Sequence, residues 1–148
     1  MHGDITPGSV LAGKFRVERV IGQGGMGVVV EATHLTLDQR VALKFLLPAA
    51  LLQPDVVLRF TREARAAAKI KSEHVARVID VGTLETGGAP YIVMEYLEGV
   101  DLSRRIKQGG PLPVSEAALF VLHACEALAE AHKAGIVHRD LKPSNLFL

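Results

Sequence analysis

Eight consecutive residues, His138-Arg139-Asp140-Leu141-Lys142-Pro143-Ser144-Asn145, place a possible base, a cation and an amide ligand in one short stretch. Asp140 can accept a hydroxyl proton, Lys142 can offset charge on a transferred phosphoryl group, and Asn145 can offer an oxygen to magnesium. The stretch follows Gly135, so a plain polar loop is the bland alternative. Its weight depends on whether other phosphate-handling groups precede it.

Two do. Gly22-Gln23-Gly24-Gly25-Met26-Gly27-Val28-Val29 reads G-x-G-x-x-G-x-V. In a dinucleotide-binding fold the last glycine would open a helix, whereas Val28, Val29 and Val30 argue for a second strand. A glycine-rich hairpin lets backbone N–H groups approach phosphate oxygens without side chains in the way; the alternative is a mobile hairpin turn. Further on, Val41-Ala42-Leu43-Lys44 embeds a lysine in an apolar strand, and Glu63 falls on the apolar side of the next helix. A carboxylate there needs a partner, because burying an unpaired charge costs several kcal/mol. A strand lysine held by a helix carboxylate can contact nucleotide phosphates. Alternatively, Lys44 faces solvent and Glu63 pairs with Arg59 one turn earlier. Gly8, Gly13 and Lys14 imitate the start of a Walker A loop, but Phe15 stands where that loop needs Ser or Thr,.

The elements that must position these groups follow from apolar spacing and turn residues. Phe15 to Ile21 and Val28 to Val30 read as strands joined by a glycine turn, and Val41 to Leu46 as a third. Gln53-Pro54-Asp55 starts a helix that runs to about Lys71, with Val56, Val57, Phe60, Ala64, Ala67 and Ile70 on one side and Arg59, Arg62, Arg65 and Lys69 on the other,. Val75 to Val81 and Tyr91 to Tyr96 are two more strands. From Asp101 the pattern is helical, first to about Lys107 and then from Pro113 to Ala134, closed by Gly135 as a left-handed C-terminal residue. That last helix is apolar around most of its circumference, so it needs neighbours on several sides, and part of it is expected to stay uncovered. Cys125, on its apolar part, is expected in the core.

Composition narrows the function classes. The 148 residues are 49% hydrophobic and 22% charged, with a formal net charge of +1, which suits one ordinary globular domain and provides no field to gather nucleic acid or acidic lipid. A single cysteine excludes a disulfide framework and a Cys-rich zinc module, and fits a reducing compartment,. Met1 to Lys14, with Asp4, lacks a signal-peptide core, and the most apolar stretch, Val41 to Leu52, is far short of the ~20 residues that span a bilayer. A cytoplasmic location is the expectation. His2, His34, His74, His123 and His132 make no convincing metal-ligand set,.

With these motifs in this order, the sequence resembles the amino-terminal half of a eukaryotic-like serine/threonine protein kinase of the bacterial kind. The resemblance covers about Phe15 to Leu148 and rests on the glycine loop, Val41-Ala42-Leu43-Lys44, Arg62-Glu63-Ala64, Met94-Glu95-Tyr96-Leu97 and the loop from His138 to Asn145. It implies an α+β, protein-kinase-like fold: a five-stranded antiparallel N-lobe sheet with one helix, then an incomplete helical C-lobe. The implied division is an N-terminal extension over 1–14, N-lobe and hinge over 15–97, and a partial C-lobe over 98–148. The implied activity is ATP-dependent phosphorylation of protein Ser/Thr residues with magnesium, the partner being a protein substrate with a Ser or Thr acceptor. Asp140 would be the base, Lys142 and Lys44 would act on the phosphates, Glu63 would hold Lys44, and Asn145 would be the metal ligand. Ile21, Gly22, Gln23, Gly24, Gly25, Met26, Gly27, Val28 and Val29 would cover the nucleotide. Adenine would pack near Ala42 and bond the backbone around Glu95 to Leu97, with Met94 at the gatekeeper position. Lys142 implies Ser/Thr rather than Tyr acceptors, and Arg139 beside Asp140 resembles kinases switched on by phosphorylation of the activation segment. In the family D-F-G, the activation segment and A-P-E follow the position of Asn145, and Asp80-Val81-Gly82 is no substitute. The sequence ends at Leu148, so the expectation is a chain truncated before D-F-G, poorly soluble alone and without appreciable activity. The alternative function is a non-catalytic kinase fragment that binds nucleotide or a partner.

Overall fold

The computed structural model describes residues 5–148; Met1–Asp4, and with them His2 and Asp4 of the reading above, lie outside the described residues. Two compact units are formed. The first takes the chain up to Ala68 together with Arg77–Tyr96, the second Lys69–Ala76 together with Leu97–Leu148.

The first unit is built on an antiparallel sheet of six strands: β1 (Val10–Leu11), β2 (Phe15–Gln23), β3 (Gly27–His34), β4 (Gln39–Leu46), β5 (Val78–Thr83) and β6 (Pro90–Glu95), in the spatial order β1-β2-β3-β4-β6-β5. The expected count of five is therefore corrected. β1 is only two residues long and pairs Val10 with Arg16 and Leu11 with Phe15, too short a run for an alternation to be legible. β5 starts at Val78 rather than Val75, because the preceding residues are taken up by a turn: the Ser72 hydroxyl oxygen accepts the His74 N–H at 3.1 Å, a local bond that competes with extended pairing. The long helix Pro54–Ala67 ends at Ala67 instead of near Lys71, with the Ala68 N–H closing its last turn on the Ala64 carbonyl.

Strands β4 and β6 contribute to apolar clusters on both faces of the sheet, as their near-continuous apolar runs require,. On one face Val17, Val30, Ala32, Val41, Leu43, Phe45, Tyr91 and Val93 form a core closed at the edge by Leu11 and Phe15. Phe45 is 1% exposed, and its truncation to Ala would cost about 3–5 kcal/mol. On the other face Leu46 and Ile92 pack with Ala50 of α1 (Pro48–Leu51) and with Phe60 and Ala64 of α2 (Pro54–Ala67). Each of these helices begins with proline at its first position, where the missing N–H costs nothing,. α1 was not among the expected elements, since a single turn leaves no periodicity to read.

The second unit carries α3 (Leu102–Gly109) and α4 (Val114–Lys133). Asp101 caps α3 by accepting the Arg104 N–H at 3.0 Å,. α4 ends in a Schellman motif: Ile136 N–H bonds the Ala131 carbonyl at 2.9 Å, Gly135 N–H bonds His132 at 3.0 Å, and Gly135 has φ +75°,, as the sequence implied. Ala131 is the buried residue of α4, while Val114, Leu119, Val121 and Leu122 are exposed. Cys125 is exposed too, which corrects its expected place in the core. The helix is apolar on sides that this chain does not cover.

Candidate functional site

The glycine segment forms the tip of the β2–β3 hairpin, as expected. Ile21, Gly22 and Gln23 end β2, with Gly22 opposite Val29 and Gln23 opposite Val28. The turn is closed by a hydrogen bond from Gly24 N–H to the Gly27 carbonyl at 2.9 Å, and Leu47 N–H reaches back to the Met26 carbonyl at 2.9 Å. Among the described residues, the N–H groups of Gly25 and Met26 donate to no backbone acceptor. Nothing lies within 4 Å of where a side chain would start at Gly24 or Gly25, so an anion could reach those donors. Gly27 is required for a different reason: a Cβ there would stand 2.8 Å from the Phe45 carbonyl oxygen of β4.

Lys44 sits on β4 opposite Val29 on one side and Ile92 on the other. Alternation along the strand puts it on the same face as Ala42 and Leu46, and its Cε is 4.0 Å from the Cβ position of Gly27,. An exposed ammonium is thereby set beneath the hairpin tip. Ala42 is buried and pairs with Met94. Glu95, at the end of β6, is pinned by exchange with Arg77: Glu95 N–H bonds the Arg77 carbonyl at 3.0 Å, and the Arg77 N–H donates to Glu95 Oε1 at 2.7 Å. Leu97 follows, 38% exposed.

Glu63 is not paired as either sequence reading placed it, with Lys44 or with Arg59: it is exposed on α2 and makes no ion pair with either among the described residues. The buried stripe of α2 is centred on Phe60 and Ala64; at ~100° per residue Glu63 falls about 60° to one side of Phe60, at the stripe's margin. At that margin water can solvate the carboxylate, so no partner is demanded.

In the second unit the loop from His138 onward closes on itself. Lys142 Nζ lies 3.0 Å from Asp140 Oδ2. Asn145 donates through Nδ2 to the Asp140 carbonyl at 2.8 Å and, at 3.5 Å, to its carboxylate. The Asp140 N–H is held by His138 Nδ1 at 3.2 Å. Arg139 has φ +64°, a conformation costing on the order of 1–3 kcal/mol in a non-glycine residue, and it turns the chain immediately before Asp140. The hydrogen bond from Lys142 and its charge, with a smaller contribution from Asn145, hold the Asp140 carboxyl below the usual carboxylate range. With its amide nitrogen engaged, Asn145 keeps its amide oxygen uncommitted among the described residues, as a hard cation would need,. Behind the loop, Leu102 N–H bonds the Leu146 carbonyl at 2.8 Å, Leu148 N–H bonds Val100 at 3.0 Å, and Asp101 bridges Phe147. Gly99, with φ +130°, admits Leu148 where a Cβ would collide with its carbonyl.

A further charged group escaped the sequence reading. Glu31 of β3 is 7% exposed, the buried charged side chain among the described residues; its signal was an acid inside the apolar run Val28-Val29-Val30-Glu31-Ala32. It accepts from Arg19 Nε at 2.8 Å and lies 3.8 Å from Arg40 Nη1. In the second unit His74 stacks on His123 with ring centres 4.1 Å apart and places Nε2 3.0 Å from Glu126.

Sequence and structure comparisons identify the family. Residues 15–148 match the family model described as protein kinase domain. The chain is 42% identical over 141 residues to the serine/threonine-protein kinase pkn3 of Myxococcus xanthus, covering 95% of this chain and 26% of that protein. It is 39% identical over 140 residues to the serine/threonine-protein kinase PknB of Mycobacterium leprae, covering 93% and 22%. Among solved structures, the PknI kinase domain of Mycobacterium tuberculosis aligns with a TM-score of 0.81 at 34% identity, over 97% of this chain and 58% of that one. The chain thus spans about a quarter of such curated relatives and somewhat over half of a solved kinase domain. With the family model spanning all but the first fourteen residues, this chain belongs to the protein kinase domain family.

Proposed function

We propose that the protein carrying this chain phosphorylates Ser or Thr residues of protein substrates, with ATP as phosphoryl donor and magnesium as cofactor, in the cytoplasm. The observation that carries this reading is the closure of Asp140, Lys142 and Asn145 within hydrogen-bonding reach of one another. In the reaction a new bond forms between the acceptor hydroxyl oxygen and the γ-phosphorus, the bond from that phosphorus to the bridging oxygen breaks, and ADP leaves. Asp140 takes the hydroxyl proton. Its depressed pKa keeps it ionised, and therefore able to accept, throughout the neutral range.

The other assignments divide by chemistry. The free N–H groups at the hairpin tip and the ammonium of Lys44 suit phosphate oxygens, and the residues from Ile21 to Val29 cover them. Ala42 leaves room for the adenine ring, with Met94 beside it, and the peptide groups of Glu95 and Leu97 bond its edge. Asn145, with its amide oxygen uncommitted, fits magnesium, which when bound compensates phosphate charge. Glu63 is assigned to hold Lys44 during turnover. Their separation in this structure favours, for the conformation described, the second reading, a kinase segment that binds nucleotide or a partner without transferring phosphate.

Incubating the full-length protein with labelled ATP, magnesium and paired Ser-, Thr- and Tyr-containing peptides tests the proposal. Label on Ser or Thr that disappears in Asp140→Asn is expected. ATP binding without transfer would select the second reading in its nucleotide-binding form, and absence of both would overturn the first reading and leave only partner binding of the second.

A further inference from the structure

The cluster around Glu31 owes its existence to an irregularity in β2. Val17 lies opposite Ala32, and in regular pairing Glu18 would come next, facing Glu31, so that two carboxylates would oppose each other across the ladder, a destabilising arrangement. The register shifts between Val17 and Arg19 instead, and Arg19 takes the place opposite Glu31. Glu18, the extra residue, is accommodated elsewhere, accepting from Thr33 Oγ1 at 2.8 Å and Arg16 Nε at 3.0 Å. A bulge that re-aims a side chain is a device found beside functional sites.

What the re-aimed side chain does next is specific. Arg19, held by Glu31 through Nε, donates from Nη2 to the Tyr96 hydroxyl at 3.2 Å. Arg40, the other guanidinium beside Glu31, stacks its charged centre 4.7 Å from the middle of the Tyr96 ring, a favourable cation–π placement. One buried carboxylate therefore orients two cations, and together these hold both the face and the hydroxyl of one tyrosine. Tyr96 lies between the two peptide groups, at Glu95 and Leu97, to which adenine binding is assigned. Because its ring is anchored, the backbone angles on either side of it are restricted. The opposite flank of the same segment is pinned by the Glu95–Arg77 exchange.

We propose that Glu31 is a positioning residue for nucleotide recognition: through Arg19 and Arg40 it fixes Tyr96 and so sets the peptide groups that read the adenine edge. The proposal rests on the kinase reading above and extends it to a group far from the phosphates. Pre-organised donors and acceptors bind without the cost of ordering them at each encounter. Loss of the Glu31 charge releases Arg19 from its carboxylate and weakens the placement of Arg40, which loosens the hold on Tyr96, so adenine affinity falls while phosphate chemistry, handled by Lys44 and Asp140, is retained.

The experiment uses the full-length protein and compares wild type with Glu31→Gln, Glu31→Asp and Tyr96→Phe. For Glu31→Gln we expect the KM for ATP to rise about three- to tenfold with kcat within about twofold. The inhibition constant of adenosine, which has no phosphates, should rise by the same factor, and the KM for the peptide should stay constant. Glu31→Asp, which keeps a carboxylate, should restore part of the loss, and Tyr96→Phe should reproduce a smaller rise without the charge change. Unchanged ATP and adenosine constants in Glu31→Gln and Tyr96→Phe would overturn the proposal. So would losses spread equally over kcat and both KM values in step with a lower melting temperature, the mark of a merely structural carboxylate. Should Glu31→Gln fail to fold, Tyr96→Phe decides alone. A wild-type protein that binds no ATP would instead remove the kinase reading, and this proposal with it.

Discussion

The loop from His138 to Asn145 and the pair Lys44 and Glu63 were read from the sequence as parts of one machine, yet they stand differently in the structure. In the loop, Asp140, Lys142 and Asn145 meet at 2.8–3.5 Å, and the contacts span only a few residues of chain. Lys44 and Glu63 are on a strand and a helix of the same unit, and they remain apart, both exposed. The difference lies in what assembles each set. A constellation within eight residues is brought together by its own turn, here by Arg139 at φ +64° and a 3-10 turn over Pro143–Asn145. A strand–helix pair depends on how the helix is rotated against the sheet, and packing by Phe60 and Ala64 is satisfied with Glu63 in water.

The sharpest way to break this comparison is to remove the base of the locally assembled set. Asp140→Asn in the full-length protein should lower turnover by about 10²-fold or more, since a positioned general base contributes on that scale; a normal rate would mean that the proton goes elsewhere. Lys44→Met should also reduce transfer strongly, by roughly 10²-fold, because charge placed on phosphates is a large catalytic contribution, while circular dichroism stays that of wild type. Unchanged turnover would remove Lys44 from the phosphates. Glu63→Gln sharpens the contrast: if the helix turns to engage Lys44 during the reaction, the rate should fall about tenfold, whereas an unaffected rate would mean that the separation seen here persists in turnover.

Smaller effects probe the scaffold and the loop's charge. Gly135→Ala, at φ +75°, should lower stability by about 1 kcal/mol, measurable in urea, with no change in the KM for ATP. The Asp140 carboxyl is held below its ordinary value of 3.8, first by the hydrogen bond from Lys142. A depressed carboxylate contributes stability that is present above its unfolded pKa and is lost as pH falls through the folded one. Carbon-detected titration should therefore place its midpoint below 3.8, and Lys142→Met should move it upward; an unmoved midpoint would show that Asn145 or His138 sets the charge state.

Much of the architecture was legible because it is written in neighbouring residues. The hairpin at Gly24–Gly27, the helix start at Pro54 and the left-handed Gly135 each follow from the conformational limits of one or two residue types. Strands β2, β3, β4 and β6 announced themselves by β-branched and aromatic runs between turns. By contrast β1 and α1 are too short to carry a period, and Cys125 was placed by the apolarity of its own helix although burial depends on what lies against that helix. Ser72 delayed β5 through a hydroxyl bond to the His74 N–H that competes with extended pairing,.

The sequence by itself determined the order of the motifs, the conformations of the tight turns and the chemistry of the loop from His138 to Asn145, because these depend on bonds made within a few residues. Only the tertiary structure decided that Glu63 is solvated, that β2 slips by one residue so that Arg19 rather than Glu18 faces Glu31, and that Tyr96, 77 residues from Arg19, completes the cluster. Those outcomes rest on register and on the rotation of packed elements, and a side chain's face and partner are set jointly by every strand and helix that touches it.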